Sequence, residues 1–128
     1  MVSAITQGVK VSVFTHYQPD FSSPAQMHYV FTYHIKIENQ GEHTIQLLRR
    51  YWQIYDSTGM IRSVEGEGVV GIQPILEPGD SHEYVSGCNL KSTIGKMEGY
   101  YFMERIKDGK NFTVEIPTFN LIVPYVLN

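Results

Sequence analysis

The sequence predicts an all-β fold, an antiparallel sandwich of about seven strands, and three observations carry that prediction. Apolar and polar residues alternate with period two over long stretches, as in strands with one buried and one wet face. No segment repeats apolar residues at i, i+3, i+4 and i+7 over three turns, so helix content should be close to nil. Glycine and proline recur between the alternating runs and divide the chain into short elements joined by turns.

Each element has its own signal. Gly8–His16 is a strand with Val9, Val11 and Val13 on one face, against Lys10, Ser12 and Phe14 on the other. Met27–Glu38 carries the longest alternation: Met27, Tyr29, Phe31, Tyr33, Ile35 and Ile37 share one parity, and polar residues dominate the other. Thr44–Asp56 is rich in β-branched and aromatic residues and stops at Asp56-Ser57-Thr58-Gly59, a turn signature. Met60–Val64 then reads as its hairpin partner, and Ser81–Ser86 and Met97–Ile106 as the next two strands. Asp108-Gly109, flanked by patterned runs, marks a tight hairpin into a last strand opened by Phe112, Val114 and Ile116. Gln18–Ala25, Glu65–Asp80 and Asn89–Lys96 read as loops. The second is the longest, and long loops in compact domains are often functional. This strand count and spacing describe an antiparallel sandwich or barrel. An immunoglobulin-like or fibronectin type III-like sandwich fits best, with Trp52 a candidate for the buried aromatic between sheets.

Composition narrows the function classes. With 128 residues, 42% hydrophobic and 18% charged, residues 1–128 read as one globular domain with a core of its own. The net charge of −3 gives no basic excess for phosphates, so no nucleic-acid partner is expected. No apolar run reaches the ~18 residues of a membrane span. The best, Leu121–Leu127, is interrupted by Pro124, and no membrane partner is expected. Met1–Gln7 lacks the basic start of a signal peptide, and the single cysteine, Cys88, excludes an intrachain disulfide. A cytoplasmic location is the expectation.

Candidate chemistry is sparse. Gly66-Glu67-Gly68-Val69-Val70-Gly71 matches G-x-G-x-x-G, but Pro74 and Pro78 forbid the helix that a dinucleotide site needs after it. The acidic residue expected about 20 positions on is also missing. What remains is an anion-binding nest at Gly66, Gly68 and Gly71, weighed against glycines required for positive φ and close packing. The second reading is preferred, since Glu65 and Glu67 would repel phosphate. The five histidines (16, 28, 34, 43 and 82) show no H-x-H spacing, so no metal site is expected. Cys88 has no base nearby: His82 would lie ~20 Å away along a strand. No catalytic constellation can be drawn, and neither enzymatic activity nor a cofactor is expected. The aromatics say more. Tyr100-Tyr101-Phe102 and Tyr51-Trp52 place consecutive rings on opposite faces of a strand, so some must face solvent, as a protein-binding face would.

The run from Gly66 to Met103, GEGVVGIQPILEPGDSHEYVSGCNLKSTIGKMEGYYFM, resembles the signature of the ApaG family. The likeness extends upstream to Arg50–Asp56 and downstream to Phe112–Phe119, covering essentially the whole chain. The resemblance implies a fibronectin type III-like sandwich and a link to cobalt and magnesium homeostasis. It also implies a protein-binding role, the usual one for similar domains appended to eukaryotic F-box and polymerase-interacting proteins. The family's glycine motif maps onto Gly66, Gly68 and Gly71. The function expected is therefore a non-enzymatic module that docks a protein partner on an aromatic sheet face or on the Glu65–Asp80 loop. The alternative is a small-molecule binder of pyrophosphate or nucleotide at Gly66–Gly71.

Overall fold

Period-two alternation in the sequence becomes nine strands in the computed structural model, which describes residues 1–127. In chain order they are β1 (Val2–Thr6), β2 (Val9–Tyr17), β3 (Tyr29–Asn39), β4 (Ile45–Asp56), β5 (Ile61–Glu67), β6 (Ile75–Leu76), β7 (Ser81–Leu90), β8 (Ile94–Arg105) and β9 (Lys110–Ile122). They form two antiparallel sheets packed face to face. One has the order β1-β2-β3-β7, and the other β5-β4-β8-β9 with β6 paired to β4. This is the fibronectin type III-like sandwich the sequence predicts. Helical structure among the described residues is limited to single 3₁₀ turns, each opened by a proline (Pro19, Pro24 and Pro124).

The core is built from the parity the sequence marks. Val9, Val11, Val13, Phe31, Tyr33, Ile35 and Ile37 of the first sheet are at most 5% exposed and face Trp52, Met97, Tyr101 and Val114 of the second. Trp52 sits at the centre, with the Tyr33 ring 5.4 Å and the Phe119 ring 5.7 Å away, both edge-on. Such pairs add about 1 kcal/mol each to their burial. Tyr84 of β7 and Tyr101 of β8 join the sheets through a buried hydroxyl–hydroxyl hydrogen bond of 2.5 Å.

Several expectations need correction. β1 went unforeseen because it is an exposed edge strand whose period-two pattern buries nothing. A two-residue turn makes it: Gln7 and Gly8 both have positive φ (48° and 80°), the twist that a tight hairpin requires. β6 lies inside the expected Glu65–Asp80 loop, held by pairing of Leu76 with Ile45. The expected loop Asn89–Lys96 shrinks to residues 91–93, because Leu90 is core at 1% exposure and keeps β7 extended. Met27 leaves the β3 parity altogether; it caps a 3₁₀ turn at φ 53° and is exposed.

Two bulges shape the five-stranded sheet. Leu48 is an extra residue in β4 between the pairs Leu47↔Met103 and Arg49↔Phe102. Pro117 and Thr118 of β9 together face Glu98 of β8, between the pairs Gly99↔Ile116 and Met97↔Phe119. Bulges of this kind bend a strand and re-aim side chains. Both candidate sites are built on one of them.

Candidate functional site

The glycine loop grows out of the β4 bulge. The carbonyl of Leu48, the extra residue, accepts from the Gly68 N–H at 2.8 Å and from Gln73 Nε2 at 2.9 Å. Val69 and Ile72 exchange two backbone hydrogen bonds (2.8 and 3.1 Å) across Val70 and Gly71, whose φ values are 46° and 81°. That is a two-residue turn of the primed type. Val69 is fully buried and plugs the core, while Val70 is 64% exposed. A β-branched residue at positive φ is strained by about 1–3 kcal/mol.

The three glycines of the motif lie together, each for a different reason. At Gly66 a Cβ would come within 2.8 Å of the Arg50 guanidinium, which lies against it and donates from Nη1 to the carbonyls of Glu67 (3.1 Å) and Gly68 (3.0 Å). At Gly68, φ is +62° and a Cβ would stand 2.1 Å from the Ile72 carbonyl oxygen. At Gly71 the φ of +81° alone demands glycine, with open space where a Cβ would go. The amides of Gly68, Val69 and Ile72 all donate within the chain. The next element after the motif is strand β6, not a helix.

The outer face of the five-stranded sheet is the second candidate. Residues directly opposite in an antiparallel ladder share a face, so the register defines rows across β5, β4, β8 and β9. One row reads Glu65–Tyr51–Tyr100–Glu115. The next reads Glu67–Arg49–Phe102–Thr113, and on the other side Ser63–Gln53–Glu98 is completed by Thr118. Tyr51 and Tyr100 stack at 5.0 Å between centroids, and Phe102 meets Tyr100 edge-on at 5.1 Å. Their strand neighbours Trp52 and Tyr101 are buried (2% and 0% exposed), so the rings divide between the two faces as alternation requires. The β9 bulge and Gly99 leave a depression of about 240 Å³ between Tyr51, Glu98, Tyr100, Glu115 and Thr118. It continues into a broader one of about 420 Å³ over Phe102, Thr113 and Thr6. Gly99 cannot carry a side chain: a Cβ would lie 2.0 Å from the Tyr51 carbonyl oxygen.

Hydrogen bonds fix the floor of this depression. Tyr55 Oη is placed between Gln53 Oε1 and Glu98 Oε1, 2.8 Å from each, and Thr118 Oγ1 donates to Glu98 Oε2 at 3.2 Å. The carboxylate beside it raises the Tyr55 hydroxyl above its usual pKa. Lys96 Nζ rests 4.8 Å above the Tyr55 ring, a cation–π contact on the same face.

The remaining candidates do not converge. Among the described residues no three His, Cys, Asp or Glu side chains are grouped so that they could hold a metal ion. Cys88 is 7% exposed; burial raises its thiol pKa, and Arg62, 3.6 Å from Sγ, only partly opposes that. Arg62 and Arg50 were invisible to sequence reasoning as site residues, because their partners lie 26 and 17–18 positions away.

Comparison with known proteins places this geometry. The sequence model of the ApaG domain matches residues 19–105. The chain belongs to the ApaG family. Curated proteins named Protein ApaG are 47% identical in Brucella canis and 48% identical in Brucella anthropi, each over 97% of this chain and 95% of the relative. A crystal structure from Bordetella pertussis superposes with a TM-score of 0.88 at 43% identity, covering 91% of this chain and 94% of that one. A second X-ray structure gives 0.88 at 34% identity over 98% and 94%. The name ApaG states no reaction. Within this ApaG chain, Arg50, the glycine loop, Tyr51, Tyr100 and Phe102 fall inside the matched domain, and Glu115 and Thr118 beyond its end.

Proposed function

We propose that this ApaG-family chain is a non-enzymatic protein-interaction module whose docking surface is the outer face of the five-stranded sheet. The observation that carries the reading is the solvent-facing Tyr51–Tyr100 stack, flanked by Phe102 and set in a depression on a rigid sheet. Rings held by neighbours lose little entropy on binding, and tyrosine is enriched among the few residues that carry most of the binding energy of protein interfaces. The link to cobalt and magnesium homeostasis that the family resemblance implies would then run through the partner, not through a metal bound here.

The test is capture from native lysate by wild type, by a Tyr51→Ala/Tyr100→Ala variant and by Phe14→Ala on the opposite sheet, with melting followed for each. The expected outcome is loss of at least ~30-fold in affinity for the double variant alone, the scale of a lost hot spot. Capture untouched by the aromatic substitutions would sink the reading. The rival, pyrophosphate or nucleotide at Gly66–Gly71, draws on the Arg50 guanidinium lying against the loop. It ranks second because the Arg50 Nη1 and three loop amides are already donated to carbonyls of the chain.

A further inference from the structure

We propose that the row Glu65–Tyr51–Tyr100–Glu115 receives arginine side chains from an extended basic segment of the protein partner, an inference that rests on reading this face as the docking surface. The charge of the face points that way. It carries Glu65, Glu67, Glu98, Glu104 and Glu115 against only Arg49 and Lys96. Both cations are engaged at home: Arg49 Nη2 lies 3.9 Å from Glu65 Oε2, and Lys96 sits on the Tyr55 ring. Glu115 is exposed, and its carboxylate makes no hydrogen bond or ion pair among the described residues; its N–H donates to Thr6 Oγ1 at 3.2 Å.

Tyrosine faces beside carboxylates favour a guanidinium. Its plane stacks on an aromatic ring while its edge makes paired hydrogen bonds to a carboxylate, which an ammonium cannot do at once. The Lys96–Tyr55 contact shows that a tyrosine of this face already accepts a cation. Spacing selects an extended segment. Three inter-strand gaps put Glu65 and Glu115 roughly 14 Å apart, and residues i and i+4 of an extended chain are separated by roughly 13 Å. Arginines at i and i+4 therefore reach the two glutamates, and one at i+2 lies over the tyrosine stack. The Arg49–Glu65 pair is exposed and contributes little, so an incoming arginine displaces it at small cost.

The experiment titrates the labelled protein with an acetylated Arg-Ser-Arg-Ser-Arg peptide, its Leu-for-Arg and Glu-for-Arg counterparts, and spermine, reading amide chemical shifts. The arginine peptide is expected to shift Tyr51, Tyr100 and Glu115. Its binding should weaken roughly fivefold in Glu115→Gln, whose melting should match wild type, and should fall again as salt is raised. Equal binding by Glu115→Gln, or equal binding of the Glu-for-Arg peptide, would overturn the proposal. If the leucine peptide shifts this face and the arginine peptide does not, the basic partner is wrong and the docking surface stands. If no peptide shifts it and the aromatic variant captures its partner normally, both are wrong. Spermine binding as tightly as the peptide would overturn the assignment to a protein segment in favour of a free polyamine.

Discussion

Gly68 and Gly71 carry the same letter in one loop and face different constraints. Gly68→Ala would press a Cβ against the Ile72 carbonyl at a positive φ, so we expect a loss of about 2 kcal/mol or more; Gly71→Ala meets only the backbone cost, about 1 kcal/mol. Thermal unfolding of both variants without ligand checks the order. Repeating it with pyrophosphate tests the anion reading: a ligand at 100 times its Kd raises stability by ~2.7 kcal/mol, and a saturable rise in wild type lost in Gly68→Ala would promote that reading. The neighbouring Val70 makes the opposite prediction. Val70→Asn creates Asn-Gly, the preferred pair for this turn, at an exposed site where valine is strained. It should gain about 1 kcal/mol, or roughly 2–5 °C in melting temperature. Sequence alone could show that glycines matter here. It could not show which one meets Ile72, or that Arg50 covers Gly66, since those contacts depend on how the loop folds back.

At the scale of elements, the end of β4 shows how a turn signal acquires a longer reach. Asp56-Ser57-Thr58-Gly59 is the β4–β5 turn the sequence marks, with Gly59 at φ 95°. The Asp56 carboxylate also accepts from the Lys91 N–H (2.7 Å), the Thr58 N–H (3.2 Å) and Ser92 Oγ, tying this turn to the one joining β7 and β8. Burial would raise its pKa, but these donors outweigh that and hold it below the usual value. A depressed folded pKa adds stability that is fully present above the unfolded value near 4 and is lost as pH falls through the folded pKa. Asp56→Asn should therefore lower the melting temperature at pH 7 and narrow the gap from wild type at acid pH. A gap of equal size at both pH values would show that the charge contributes nothing.

For the whole molecule, the Tyr84–Tyr101 bond is a buried polar link between the two sheets, as is the bond from Asn39 Nδ2 to the Leu76 carbonyl. Tyr101→Phe leaves the buried Tyr84 hydroxyl without that partner and should cost about 1–3 kcal/mol; the double variant with Tyr84→Phe should cost less than the two single losses summed. Additive losses in chemical denaturation would show the bond is not a coupled unit. The sequence by itself determined the all-β antiparallel class, because period-two alternation in Gly8–His16 and Met27–Glu38 obliges each strand to bury one face. Division into two sheets is the best fit to that pattern, and it is what the structure has. The sequence also determined that Tyr100-Tyr101-Phe102 and Tyr51-Trp52 must divide their rings between the two faces of a strand, with Trp52 the buried one of its pair, since neighbouring residues on a strand point opposite ways. That Tyr101 is the buried ring of its trio came from the structure. The tertiary structure alone decided the rest: the edge strand β1, the bulges at Leu48 and Pro117–Thr118, the Arg50 clamp, and the row that sets Glu65 and Glu115 beside the tyrosines. Those features depend on register between strands distant in sequence, and cross-strand register is a property of pairs that no single segment encodes.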